Sequence, residues 1–168
     1  MTPLEQFRQE KDEFFRTSPQ SPLTRQQKRE FRGLVYYPEN PSLWLELKLE
    51  RIVNPQPALL TTSTGDEQEY IHVGQVRFSV DGAEAALQIY QADYGFFLPF
   101  ADATAPEETY GAGRYLEPHL VGNDLLQLDF NLAYNPYCAY NENWSCPLPP
   151  SANRLKVRIA AGEKKFHE

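Results

Sequence analysis

The densest run of side chains able to do chemistry is Leu128-Asp129-Phe130-Asn131-Leu132-Ala133-Tyr134-Asn135-Pro136-Tyr137-Cys138-Ala139-Tyr140-Asn141, continuing to Trp144, Cys146 and Pro147-Leu148-Pro149-Pro150. Asp129 brings a carboxylate, Asn131 and Asn135 bring amides, and Tyr134 brings a phenol. Where a strand ends, these groups could converge on one small organic ligand, with Arg114 as the opposite charge and Cys138 among the ligand-facing residues. Tyr134, Tyr137, Tyr140 and Trp144 add aromatic faces that could stack on a sugar or another planar ligand. The same residues also have a plain structural use. Asn and Asp side chains satisfy turn backbones, Arg114 can pair with Asp129 or Glu163, and aromatic rings pack at corners.

An enzyme reading would pair Cys138 or Asp129 with a histidine base, His72 or His119, in hydrolase- or transferase-like chemistry. Neither histidine sits in a catalytic motif; His72 lies between Ile71 and Val73, and His119 follows Pro118 in an expected loop. Cys138 and Cys146 are too widely spaced for a Cys-x-x-Cys pair, and no second cysteine pair completes a zinc site, so no metal is expected. Gly111-Ala112-Gly113 lacks the third glycine and the strand-to-helix context of a phosphate-binding loop. Neither a cofactor nor an oligomeric state follows from these residues.

Tyr110-Gly111-Ala112-Gly113-Arg114-Tyr115-Leu116, the Asp129–Asn141 cluster, Pro149-Pro150 with Asn153-Arg154-Leu155, and Ala161-Gly162-Glu163-Lys164 together carry a resemblance. With Lys11-Asp12, Ser21-Pro22-Leu23 and Gly33-Leu34 added, the chain resembles a bacterial and archaeal domain family of unknown function, number 1684, over nearly its whole length. The resemblance implies no reaction or cofactor. It implies only that Arg114, Asp129, Asn131, Asn135, Cys138, Cys146, Asn153 and Glu163 serve something shared.

Two short helices are expected first. Thr2-Pro3-Leu4-Glu5 and Thr24-Arg25-Gln26-Gln27 are capping boxes, and Ser18-Pro19 breaks the helix between them. From Leu34 the apolar period changes to two, most plainly in Leu43–Glu50, with a slip at Arg51-Ile52-Val53 that calls for a bulge. Gln75–Val80, Asp81-Gly82 and Glu84–Gln91 spell a hairpin with a tight type I′ turn. Further strands are expected at 34–37, 58–63, 69–74, 95–100, 124–130 and 154–159, and 102–108 reads as one exposed acidic loop. The expected fold is mainly β: a small antiparallel barrel or sandwich of about eight strands with two N-terminal helices. It is read as a single domain, 1–168, with a helical segment 1–33 on a β body 34–168.

The chain has 41% hydrophobic residues with ten Phe, ten Tyr and two Trp. A chain of this size can bury roughly 70% of its unfolded surface. The net charge of −7 belongs to the body: between Asp66 and Glu142 thirteen acids face only Arg77 and Arg114. That field repels a phosphate backbone, so nucleic acid is not an expected partner. No apolar run approaches the roughly 20 residues of a membrane span, and the N-terminus lacks a secretory pattern, so the expected setting is the cytoplasm, with free thiols and no membrane partner. The reading that best fits these residues is a binding module for a small molecule. The enzyme is one alternative, and a protein-interaction domain without a pocket is a second.

Overall fold

The computed structural model describes residues 1–168. Both capping boxes form. Helix α1 (Pro3–Thr17) starts where the Thr2 hydroxyl accepts from the Glu5 N–H and the Glu5 carboxylate accepts from the Thr2 N–H. Helix α2 (Arg25–Glu30) repeats the arrangement with Thr24 and Gln27. Such reciprocal caps satisfy donors that the first helical turn leaves without partners.

Eight strands follow: β1 (Trp44–Lys48), β2 (Glu50–Thr61), β3 (Glu67–Val80), β4 (Ala83–Ala92), β5 (Gly95–Phe100), β6 (Arg114–Leu116), β7 (His119–Gly122) and β8 (Leu125–Asp129). They make two antiparallel sheets, ordered β1-β8-β7 and β2-β3-β4-β5-β6, that do not close into a barrel. The architecture is a sandwich. The inner faces follow the period-two pattern: Val76, Phe78 and Val80 of β3 point inward while Arg77 and Ser79 point out. They meet Leu87, Ile89, Leu98, Phe100, Leu126, Leu128 and Phe130 in one core. Each such side chain contributes about 1.5–3 kcal/mol of apolar burial.

The expected bulge appears as a register shift between Arg51 and Gln56, opposite Gly74 and His72. The hairpin turns at Asp81 (φ 50°) and Gly82 (φ 81°), with Val80 opposite Ala83. Three local expectations are corrected. The 34–37 segment makes only a bridge, Tyr36 to Glu163. Residues 154–159 alternate in burial but form no strand, because their backbone bonds go to a loop: Leu155 N–H donates to Ala101 O (2.7 Å), and Ala103 N–H to Val157 O (2.9 Å). His119 opens β7 rather than lying in a loop, and β6 and β7 bring the count to eight.

The acidic loop is also corrected. Asp102 is 5% exposed and Thr104 is buried. The Asp102 carboxylate accepts from the Thr104 hydroxyl and from the Ile159 N–H (2.6 Å), and it faces Arg114 across 3.3 Å.

Candidate functional site

The sandwich leaves a cleft of about 620 Å³ beneath α1. One wall is α1 itself, through Phe7, Glu10, Lys11, Phe14 and Phe15. The opposite wall is the β6–β7 connection, with Leu116, Glu117, Pro118 and His119, and the end of β8, with Gln127 and Asp129. The floor is the segment that follows, through Leu132, Tyr134, Asn135 and Tyr137. Half-exposed Phe7 and Phe14 make the helical wall apolar.

Asp129 ends β8, and its Oδ1 accepts from the backbone N–H and the Nδ2 of Asn131, both at 3.0 Å, which caps the short 3-10 turn Phe130–Leu132. The chain then runs antiparallel to β6, where Tyr134 and Tyr115 exchange backbone hydrogen bonds of 2.8 and 3.0 Å. This pairing turns the Tyr134 ring toward α1. The ring lies 5.0 Å from Lys11 Nζ, and its hydroxyl donates to Glu117 Oε2 at 3.2 Å. Burial, together with Glu117, pushes the Tyr134 phenol up and keeps it a donor.

Asn135 is 2% exposed and lies against the same cleft. Its backbone N–H donates to Glu163 Oε1 (2.9 Å), and its Nδ2 donates to the Lys164 carbonyl (3.0 Å). A carbonyl only accepts, so the amide nitrogen must face it, and this fixes the direction of Oδ1. That oxygen is buried and has no hydrogen-bond partner. An acceptor stranded away from water costs about 1–3 kcal/mol, so it is normally satisfied by something.

Asp129, Tyr134 and Asn135 thus share one cleft, whereas Arg114, Asn131 and Cys138 do not line it. Arg114 is 1% exposed and turned inward. It donates to the carbonyls of Ile159 (2.9 Å), Ala161 and Glu163 (3.1 Å), alternate residues of one extended segment, and to Asp102. Asn131 uses its amide on the backbone of Asn40, accepting at 2.8 Å and donating at 3.0 Å. Cys138 lies in a separate cluster with Cys146 and Tyr110.

His72 bonds Gln88 (2.8 Å) on the neighbouring strand, and His119 shares the cleft with Asp129 without a hydrogen bond between them. Neither histidine hydrogen-bonds Cys138. No three His, Cys, Asp or Glu side chains gather as metal ligands would, and no helix is long and apolar enough to cross a membrane. The cleft residues missed by sequence reasoning are those of α1, the stretch Leu116–Pro118, Gln127 and Leu132. Phe7, Glu10, Lys11 and Phe14 recur at helical spacing and so share one face, which was the available signal.

A family model described as "Protein of unknown function (DUF1684)" matches residues 29–164. The chain belongs to this family. Among solved structures, this DUF1684 protein is similar to an uncharacterised protein of Haloarcula marismortui determined by solution NMR, with 36% identity and a TM-score of 0.74, covering 98% of this chain and 94% of that one. No curated protein matches it. The family range begins inside α2, so α1, which walls the cleft, lies outside the matched segment.

Proposed function

We propose that this DUF1684 protein is a binding module whose cleft takes a small amphipathic molecule with an apolar body and a hydrogen-bond-donating, cationic head. The observation that carries this reading is the cleft lining itself, where three carboxylates stand beside an apolar helical wall and above Asn135. Around it the lining holds the carboxylates of Glu10, Glu117 and Asp129, and its one lysine, Lys11, is already paired with Glu163. An ammonium group would answer that carboxylate field, while Phe7, Phe14 and Leu132 cover the apolar part. The six residues read from sequence then divide in role. Asp129, Tyr134 and Asn135 face the ligand, whereas Arg114, Asn131 and Cys138 act away from it.

An interaction surface along the exposed edge β2 is the weaker reading. Pro55 and Pro57 remove two donors from that edge, which blunts pairing with another strand. The enzyme reading has only the shared cleft of His119 and Asp129 behind it. A reducing, cytoplasmic setting remains part of the proposal.

The test is a thermal-shift and calorimetry comparison of phenylalkyl and alkyl primary amines with carboxylates of the same size. Amines should raise the melting temperature in a concentration-dependent way and the acids should not. Asp129→Asn, which keeps an oxygen for the 3-10 cap, should weaken amine binding about tenfold, the loss of one charge-assisted bond. Equal response to acids and amines, or none to either, overturns the reading.

A further inference from the structure

The second cluster is independent of the cleft proposed above. Cys138 sits in a one-turn 3-10 helix, Tyr137–Ala139, and its backbone N–H donates to Cys146 Sγ at 3.3 Å. The Tyr110 hydroxyl donates to Cys138 Sγ at 3.6 Å. Ser63 closes the group: its hydroxyl accepts from the Cys146 N–H at 3.1 Å. Both cysteines are free; Cys138 is half-buried and Cys146 is 8% exposed.

We infer that Cys138 and Cys146 form a peroxide-responsive thiol pair, in which Cys138 is the attacking sulfur and Cys146 the resolving one. The Cys138 Sγ attacks one oxygen of hydrogen peroxide. The S–O bond forms, the O–O bond breaks, and the departing hydroxide takes a proton and leaves as water. Cys138 is now a sulfenic acid. The Cys146 sulfur attacks it, the S–S bond forms, and the S–O bond breaks. The proton of Cys146 leaves with the hydroxide as a second water. Two thiols are oxidised and one peroxide is reduced.

The roles follow from the surroundings. The neighbouring Cys146, opposed by burial and reinforced by Tyr110, holds the Cys138 thiol below its ordinary value and favours its thiolate. The same contact with Cys138, together with burial, pushes Cys146 up and keeps it protonated. The less buried sulfur is the one a peroxide meets first, and Cys146 Sγ already accepts from the backbone N–H of Cys138.

The bridge would lock the loop between the two cysteines, which docks the helical segment. Asn141 Nδ2 donates to the Pro22 carbonyl (2.7 Å), Trp144 Nε1 to the same carbonyl (3.3 Å), and the Tyr140 ring meets Phe15 edge-on at 5.1 Å. Closure therefore ties oxidation to the seating of α1.

The experiment treats the full-length protein with hydrogen peroxide and follows thiol titre, intact mass and peptide maps. The expected result is loss of both thiols, a mass lower by two hydrogens, and one Cys138–Cys146 cross-linked peptide in a monomer. Before oxidation, iodoacetamide should modify Cys138 at pH 7 about tenfold faster than an ordinary thiol. Cys146→Ser should stop at a sulfenic acid on Cys138 that dimedone captures. Persistence of both thiols, labelling on Cys146 alone, or bridges only between molecules would overturn the inference, and the wild-type peptide map decides it even if the variant fails to fold.

Discussion

Lys11 of α1 forms an ion pair with the carboxylate of Glu163, 152 residues further along the chain. Glu163 is 2% exposed and also accepts from the Asn135 N–H (2.9 Å) and the Tyr140 hydroxyl (3.1 Å). One carboxylate thus binds α1, the cleft floor and the loop between the cysteines. Glu163→Gln keeps the shape but leaves Lys11 half-buried without its counter-charge. The expected loss is about 3 kcal/mol by urea denaturation, the scale of a broken buried pair. A loss below 1 kcal/mol would mean that the node holds little.

Arg114 shows the same logic with the charge reversed. Its guanidinium spreads over three carbonyls, the Asp102 carboxylate and the face of Phe100, 5.3 Å from the ring centre. Burial pulls its proton affinity down, and Asp102 opposes the shift. A lysine carries the charge but not the planar fork, so Arg114→Lys is expected to cost about 3 kcal/mol or more rather than to rescue. Full stability of that variant, measured by thermal melting, would show that charge alone suffices.

These two residues mark how far the sequence was legible. The hairpin at Asp81-Gly82, both capping boxes and the leucine face of Leu43–Glu50 are local patterns, and the structure forms them. For Arg114 the sequence offers Asp129 or Glu163 as the paired acid. Its actual acid, Asp102, lay in a run whose composition looked like solvated surface. Such partners depend on tertiary packing, which no short window carries. Residues 154–159 failed for the opposite reason: alternation records which face is buried, not whether the backbone partner is a strand or a loop. Asp129, Tyr134 and Asn135 reach the cleft from the end of β8 and the stretch after it, while Asn131 and Cys138 of the same stretch turn to other partners and the wall of α1 comes from the far end of the chain.

Two surface carboxylates should govern acid stability. Glu108 is held down to about 2 by Arg158, which donates at 2.9 and 3.0 Å, and by the Tyr37 hydroxyl; Asp66 is held to about 2 by Thr62 and Thr64. A carboxyl whose folded value lies below its unfolded one contributes stability above the unfolded value and loses it as pH falls through the folded one. The melting temperature should therefore fall from about pH 4.5 toward pH 2. Glu108→Gln and Asp66→Asn should each lower the plateau above pH 5 and flatten that fall. Tyr37, raised to about 12 by burial and by Glu108, works in the other direction: its contribution is full below pH 10 and is lost as pH rises toward 12. Ultraviolet titration of phenolate should find this late-ionising group, and melting curves that stay flat from pH 5 to 2 would contradict the assignment.

Gly162 and Gly65 separate backbone strain from close approach. Both have positive φ, +79° and +93°, where any side chain is strained. At Gly65 a Cβ would meet nothing within 4 Å, so Gly65→Ala should cost only about 1 kcal/mol. At Gly162 the same atom would lie 2.7 Å from the Ala133 carbonyl oxygen and 2.8 Å from that of Phe130. The Ala133 carbonyl also accepts the Glu163 N–H at 2.9 Å, so the added methyl drives apart the two segments that carry the Arg114 acceptors and the cleft floor. Gly162→Ala is expected to cost at least about 3 kcal/mol, since clash adds to strain. Hydrogen exchange should show the loosening first at the amides of Asn135 and Glu163. Equal costs at the two glycines would leave strain as the whole effect and remove the tight crossing of 130–133 with 161–163 as a stabilising feature.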